Sequence, residues 1–347
     1  MWLRWKYCHN KQMRRVLIPQ NLQSLPSKLP TGALHTLSGQ SMGTTWTVRY
    51  IHPDQSSQTV VQTLIQRELD LVVAQMSTWQ ADSNLSLFNS AGANTWHTLP
   101  SAFFQVLDCA LTIAADTDGA FDPTIGAVVN LWGFGPNGQR ISPPSKSEVE
   151  AVHAYTGWQK LQLDQSGMRV LQPGNLYVDF SGIAKGYSVD LIAQALEAAG
   201  IENYLIEVGG ELSGAGIKPD GQPWWVALEM SPSASGISES IVALHGLAVA
   251  TSGDYRRYFD YQGQHYAHTI DPRTGFPINR TSNALVSVSV LHAQCMIADA
   301  LATAFTVMGT QAALSYAEQH DVAVLLMEQT PEGDKEYLSP QLMAMLE

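Results

Sequence analysis

Residues 178–190, VDFSGIAKGYSVD, set how the rest of the chain is read. Short strand-like segments run from Leu161 to Asp179, and a helix is expected from about Ala184 to Ala199, ending at Gly200. At the join, Gly182 allows close backbone approach, the start of the helix favours an anion, and Lys185 adds a point charge. The Walker A order G-x-x-x-x-G-K is absent, so the stretch reads as a loop for a phosphate or a metal.

Downstream, Tyr204 to Val208 reads as a strand running into Gly209-Gly210. Further strands are expected at 224–230, 241–251, 264–271 and 283–291, helices at 294–308 and 310–319, and a buried strand at 322–327. Upstream, Thr44 to Ile51 has strand composition, and Gln58 to Met76 carries an apolar stripe through Val61, Leu64, Ile65, Leu69, Val72 and Val73. Ser101 to Thr117 reads as a helix with Ser101 as its N-cap, and Ser145-x-x-Glu148 as a capping box opening another. Segment 18–38, rich in Pro, Ser, Gln and Leu, reads as an irregular lead-in. Strands and helices mix without a regular βαβ period, which predicts the α+β class.

The chain has 347 residues, 45% hydrophobic and 14% charged, a length that by itself allows about two domains. Its 31 acidic and 19 basic residues leave a net charge of -12, which argues against a general nucleic-acid binder. A phosphate-ester substrate would then need a cation or helix N-termini to offset the protein's own field. The longest apolar runs, such as Val322 to Met327, fall far short of the roughly 20 residues that span a bilayer.

Three attractive matches lack their context. Gly39-Gln40-Ser41-Met42-Gly43 fits the G-x-S-x-G elbow of hydrolases, but it precedes a strand and no helix follows. Gly133-Phe134-Gly135-Pro136-Asn137-Gly138 fits G-x-G-x-x-G, yet it runs into GQRISPPS, which cannot start a helix. His265 and His268, three apart in an expected strand, would point to opposite faces and make poor metal co-ligands.

Other groupings keep two readings each. Asp299 and Thr303 lie one turn apart in DALATAFTVMG, either as hard oxygen ligands for Mg²⁺ or as a first-turn acid and a core threonine. His268 and Asp271 precede a Pro/Gly turn and read as acid, base or ligand, or simply as turn formers. Ala120-Phe121-Asp122 is a turn or a ligand wall made of backbone. Trp79 is core, or a platform for a flat ring.

Taken in order, these pieces closely resemble the ApbE family, the FAD:protein FMN transferases. The resemblance covers about residues 39–330. It rests on SMGTTW (41–46), MSTWQADSNLSLFN (76–89), GAFDPTIGAVVNLWGFG (119–135), VDFSGIAKGYSVD (178–190) and IEVGGELSGAG (206–216). It continues through ATSGDYRRYF (250–259), HTIDPRTGFPI (268–278) and ADALATAFTVMG (298–309).

The resemblance implies a T-fold-like α+β architecture around one flavin-binding cleft, with a leader at 1–38 and a single flavin transferase domain at 39–347. It implies FAD as substrate, Mg²⁺ as cofactor, and transfer of FMN to a Ser or Thr hydroxyl of an acceptor protein with release of AMP. Met42, Trp79, Ala120, Phe121, Asp122, Asp179, Lys185 and Ile270 match flavin-holding positions. Asp299 and Thr303 match side-chain metal ligands, and Gly182 matches a backbone ligand. His268 and Asp271 fall nearest the reacting phosphates, with His268 the candidate base. Two other readings fit the same residues: a Mg²⁺-dependent FAD pyrophosphatase, or a non-catalytic flavin-binding protein.

The leader, MWLRWKYCHNKQMRRVLIPQ, is cationic but has no apolar core, with or without a start at Met13, and Cys8 follows no apolar run. Many relatives are exported lipoproteins. Here the three cysteines, Cys8, Cys109 and Cys295, show no paired spacing, and the expected location is the cytoplasm.

Overall fold

The computed structural model describes residues 14–22, 28–54, 57–229, 239–253, 258–278 and 284–346. Its backbone is an eight-stranded sheet in which every neighbouring pair is antiparallel. In spatial order the strands are Ala33–Ser41, Thr44–His52, Tyr204–Val208, Glu211–Ala215, Leu247–Gly253, Ala284–His292, Ala323–Thr330 and Gly333–Leu338, which is also their order in the chain. Residues 53–203 are inserted between the second and third strands.

The α-helices of the described residues, in chain order, are α1 (Ser57–Met76), α2 (Asn84–Asn89), α3 (Ser101–Asp116), α4 (Gly126–Leu131), α5 (Lys146–His153), α6 (Ala184–Ala198), α7 (Cys295–Met308), α8 (Thr310–Gln319) and α9 (Pro340–Met343). Helices α1, α6 and α7 pack against one face of the sheet. There Trp46, Val48, Ile65, Leu69, Ile192, Leu196 and Ile206 join into one apolar core. A small sheet of Arg15–Leu17, Ser240–Leu244 and Trp224–Ala227 contributes Leu17, Trp224, Val242 and Leu244 to a core with Val249, Leu291 and Leu325 of the large sheet. Strand 284–292 is buried at every interior position, Ser287 and Ser289 included, so both of its faces are covered.

Most expected elements form within a residue or two, and the capping box at Ser145 and Glu148 closes from both sides. Four expectations are corrected. The lead-in at 18–38 is not irregular throughout: Ala33–Ser41 is a full strand whose alternating polar residues reflect its place at the sheet edge. Ser101 is not the N-cap of α3; Pro100 holds that position and no side chain caps the helix. Segment 241–251 is two strands, broken at Gly246 with φ +64°. Segment 264–271 likewise divides into Gln264–Ala267 and Ile270–Asp271. Cys8, Met13 and positions 254–257 of the ATSGDYRRYF block lie outside the described residues.

The false hydrolase match has a structural explanation. Met42 and Gly43, at φ 50° and 72°, form the two-residue turn of the 33–52 hairpin. Gly39 faces Trp46 across that hairpin, and a Cβ there would sit 2.8 Å from the indole. Among the described residues, no helix is long and apolar enough to cross a membrane.

Helices α6 and α7 cross at Gly186. A Cβ at that position would collide with the Cys295 carbonyl oxygen and lie 2.7 Å from its carbon and 2.9 Å from Asp299 Cβ. On an open helix surface, Gly→Ala is favourable by about 1 kcal/mol. At this crossing the sign reverses, and Gly186→Ala is expected to cost about 1–3 kcal/mol through overpacking. Urea unfolding checks this as a lower midpoint at unchanged slope; a variant as stable as the parent would refute it.

Candidate functional site

The crossing assembles the site. Gly186 N–H donates to Asp299 Oδ2 at 3.0 Å, which fixes a carboxylate that is only 3% exposed. Lys185, one residue earlier on α6, places Nζ 3.7 Å from Asp299 Oδ1 and 2.5 Å from Glu211 Oε1. Thr303, one turn beyond Asp299, lies so near Gly182 that a Cβ on the glycine would stand 3.0 Å from Oγ1 and 3.4 Å from the Phe121 ring. Ser252 Oγ approaches Thr303 Oγ1 at 3.5 Å from the neighbouring strand. The structure thus brings Gly182, Lys185, Asp299, Thr303 and Phe121 together.

Helix α7 has no side-chain cap of its own at Gln294. Asp190 of α6 supplies one instead, accepting from Cys295 N–H at 2.7 Å and Met296 N–H at 2.9 Å. This satisfies two otherwise orphaned donors and locks the register in which Asp299 faces Lys185.

The flavin-matched residues divide by which part of each is available. Trp79 is 66% exposed in the turn between α1 and α2, open to stack on a ring. Met42 occupies the hairpin tip and packs against two of the apolar cores. Ala120 and Phe121 are buried. The Asp122 carboxylate accepts from Thr124 N–H, Thr124 Oγ1 and Trp158 N–H, so it is a strut of the fold. Of this segment, only the main chain is left to serve as a ligand wall.

Asp179 N–H donates to Pro123 O at 2.8 Å, joining that wall to the α6 loop, and Asn89 clamps Val178 through paired 2.8 Å bonds. Asp179 Oδ1 accepts from Ser181 N–H, and burial holds the carboxyl above its usual range. The Ile270 side chain belongs to the core of Val128, Trp132 and Val149, again leaving only its backbone for contact.

His268 is half-buried at the end of Gln264–Ala267, with Phe134 edge-on at 6.3 Å. Asp271 is engaged with Arg273, accepting Nε at 2.9 Å and Nη2 at 2.8 Å, and it accepts the Arg273 N–H. His153 and Trp132 Nε1 bond to the Pro272 and Gly275 carbonyls of the same turn.

Glu211 and Ser252 are site residues that sequence reasoning did not single out. The only hint for Glu211 was an acid directly after Gly209-Gly210. Burial pushes the Glu211 carboxyl upward, offset in part by Lys185. Burial also pushes Lys185 downward, but Asp299 and Glu211 more than offset this and keep it charged.

Among the described residues, no group of three or more His, Cys, Asp or Glu side chains could hold a metal ion. A cation here would have few protein ligands and would complete its shell from substrate and water, as Mg²⁺ does. The donor set fits: a carboxylate and hydroxyls, with the Glu211 Oε2 oxygen buried and unpartnered nearby.

The antiparallel sheet and the crossing of α6 and α7 thus set an ammonium, two buried carboxylates and two hydroxyls side by side at the start of α6. A model of the ApbE family matches residues 42–326. A FAD:protein FMN transferase of Vibrio cholerae is 41% identical over 91% of this chain and 94% of its own length. Its counterpart in Salmonella typhimurium is 38% identical over 90% of each chain. Among solved structures, the flavin transferase ApbE from Vibrio cholerae superposes with a TM-score of 0.83 at 40% identity, over 91% of this chain and 100% of that one. The flavinyl transferase ApbE of Pseudomonas stutzeri gives 0.82 at 36% identity, over 90% and 96% respectively. The chain belongs to the ApbE family.

Asp190 supplies a pH test of the α7 anchor. Burial raises its pKa from 3.8 to about 6, against the pull of the two backbone bonds. The native state therefore binds more protons than the unfolded chain between these values, and Asp190's contribution to stability falls as pH rises from about 4 to 6. Relative to Asp190→Asn, the parent should lose on the order of 2 kcal/mol across that window, since each pKa unit corresponds to about 1.4 kcal/mol. Denaturant unfolding of both proteins at pH 4 and pH 7 measures this, and a pH-independent difference would contradict it.

Proposed function

We propose that this chain transfers FMN from FAD to a Ser or Thr hydroxyl of an acceptor protein, forming a phosphoester and releasing AMP. The observation that carries the reading is the convergence of Gly182, Lys185, Asp299 and Thr303 at the α6–α7 crossing, in a chain whose relatives are named FAD:protein FMN transferases.

In this reading Trp79 stacks on the flavin ring and Met42 packs beside it. The main chain of Ala120, Phe121, Asp122 and Ile270 lines the ligand, and Asp179 and Lys185 orient it. Asp299, Thr303 and the Gly182 carbonyl hold Mg²⁺. When bound, that ion neutralises charge on the pyrophosphate oxygens, which phosphoryl transfer needs more than it needs covalent help. The acceptor hydroxyl oxygen bonds to the FMN phosphorus. The bond from that phosphorus to the bridging oxygen breaks, AMP leaves with the oxygen, and the hydroxyl proton passes to the His268 imidazole. The Arg273 pair favours His268 over Asp271 as base, because both Asp271 oxygens are already engaged by the guanidinium. Asp271 then serves to hold the turn.

Incubation with FAD, Mg²⁺ and a candidate acceptor, followed by in-gel flavin fluorescence and AMP assay, tests the transfer. Removing Mg²⁺ with a chelator, or replacing Asp299 with Ala, should abolish AMP release, whereas chelation should leave flavin binding in place. Cys109→Ala and Cys295→Ala should stay nearly fully active. Undiminished AMP release in chelator would rule out the metal's role.

We also assign the protein to the cytoplasm, on the support of Cys109 and Cys295, which are both free thiols. Fractionation of cells carrying a C-terminally tagged copy checks this, and recovery in a periplasmic or lipidated fraction would overturn it.

A further inference from the structure

Glu211 opens the strand Glu211–Ala215 and is 2% exposed. One carboxylate oxygen meets Lys185 Nζ at 2.5 Å, and the other, also buried, has no hydrogen-bond partner. The same ammonium stands 3.7 Å from Asp299 Oδ1. A single cation therefore faces two buried carboxylates and is committed to one of them.

The path of the lysine stem agrees with that commitment. Gly209 has φ +63°, and a Cβ there would press on Lys185 Cδ at 3.3 Å and on Thr44 Cγ2 at 2.8 Å. Glycine at 209 thus leaves open the way by which the stem reaches Glu211.

An ammonium seated fully on Asp299 would occupy the oxygen a divalent cation requires. It would also place a like charge against that cation where water screens poorly. We infer that Glu211 is a positioning residue: it draws the Lys185 ammonium off Asp299, leaving an Asp299 oxygen open to a divalent cation. This rests on the reading of Asp299 as a metal ligand given above. Glu211 itself need not touch the metal or the flavin.

The test measures Mn²⁺ binding by electron paramagnetic resonance in the full chain, Glu211→Gln, Lys185→Met and the double variant, with circular dichroism to confirm that each is folded. Glu211→Gln should weaken Mn²⁺ binding by about tenfold, as the lysine moves onto Asp299. In the Lys185→Met background the same substitution should change affinity by less than about twofold, because no ammonium is left to redirect. A field effect or direct ligation by Glu211 would instead cost the same in both backgrounds and would overturn the inference. So would an unchanged affinity in Glu211→Gln. If Glu211→Gln does not fold, Lys185→Met decides alone: its affinity should equal or exceed the parent's, and weaker binding refutes the inference. Failure of the parent protein to bind Mn²⁺ at all would sink both this inference and the metal reading of Asp299; binding by the parent with no response to Glu211→Gln would sink the inference only.

Discussion

The contact on which everything else depends is the meeting of α6 and α7 at Gly186. Because that residue has no side chain, the helix backbone approaches the Cys295 carbonyl closely enough for its own N–H to reach Asp299. Asp190, one turn further along α6, binds the first amides of α7. Two helices distant in sequence are thereby held at two points, and the functional side chains stand on either side of them. Interior packing is dense enough that a methyl group at position 186 has nowhere to go.

What could be read from the sequence was whatever a single element declares by itself. Helix α1 announced its apolar stripe, and Asp299 and Thr303 announced their shared face. Strand 33–41 did not, because an edge strand with one solvated face looks like polar coil when Thr36, Ser38 and Gln40 alternate with Leu37 and Gly39. Helices α2 and α4, of six residues each, are too short to show a helical period. The break at His245-Gly246 was hidden because the apolar runs 241–244 and 247–250 lie close on either side of it.

The site was legible to the same extent. Residues 182 and 185 read as a phosphate or metal loop and residues 299 and 303 kept a structural alternative, so it was the family resemblance that joined the four. Side-chain availability was not legible, since it depends on partners elsewhere in the chain: Asp122 is spent on Thr124 and Trp158, and Asp271 on Arg273. Glu211 illustrates the other direction. Its sequence neighbours are glycines and apolar residues, and only the tertiary approach of Lys185 gives it a place in the chemistry.

The insertion of residues 53–203 has a consequence for synthesis on the ribosome. The hairpin 33–52 emerges early, but its inner strand cannot pair until Tyr204–Val208 has been made. The other neighbouring strands of the eight-stranded sheet are joined by far shorter connections. The nascent hairpin must therefore wait with an unpaired inner edge while the whole inserted unit is translated, and an exposed edge of this kind is a template for wrong pairing. Met42, at the tip of that hairpin, shares this delay. Its hairpin joins the rest of the eight-stranded sheet only when the longest connection within that sheet has closed, and the entropy cost of closure rises with loop length.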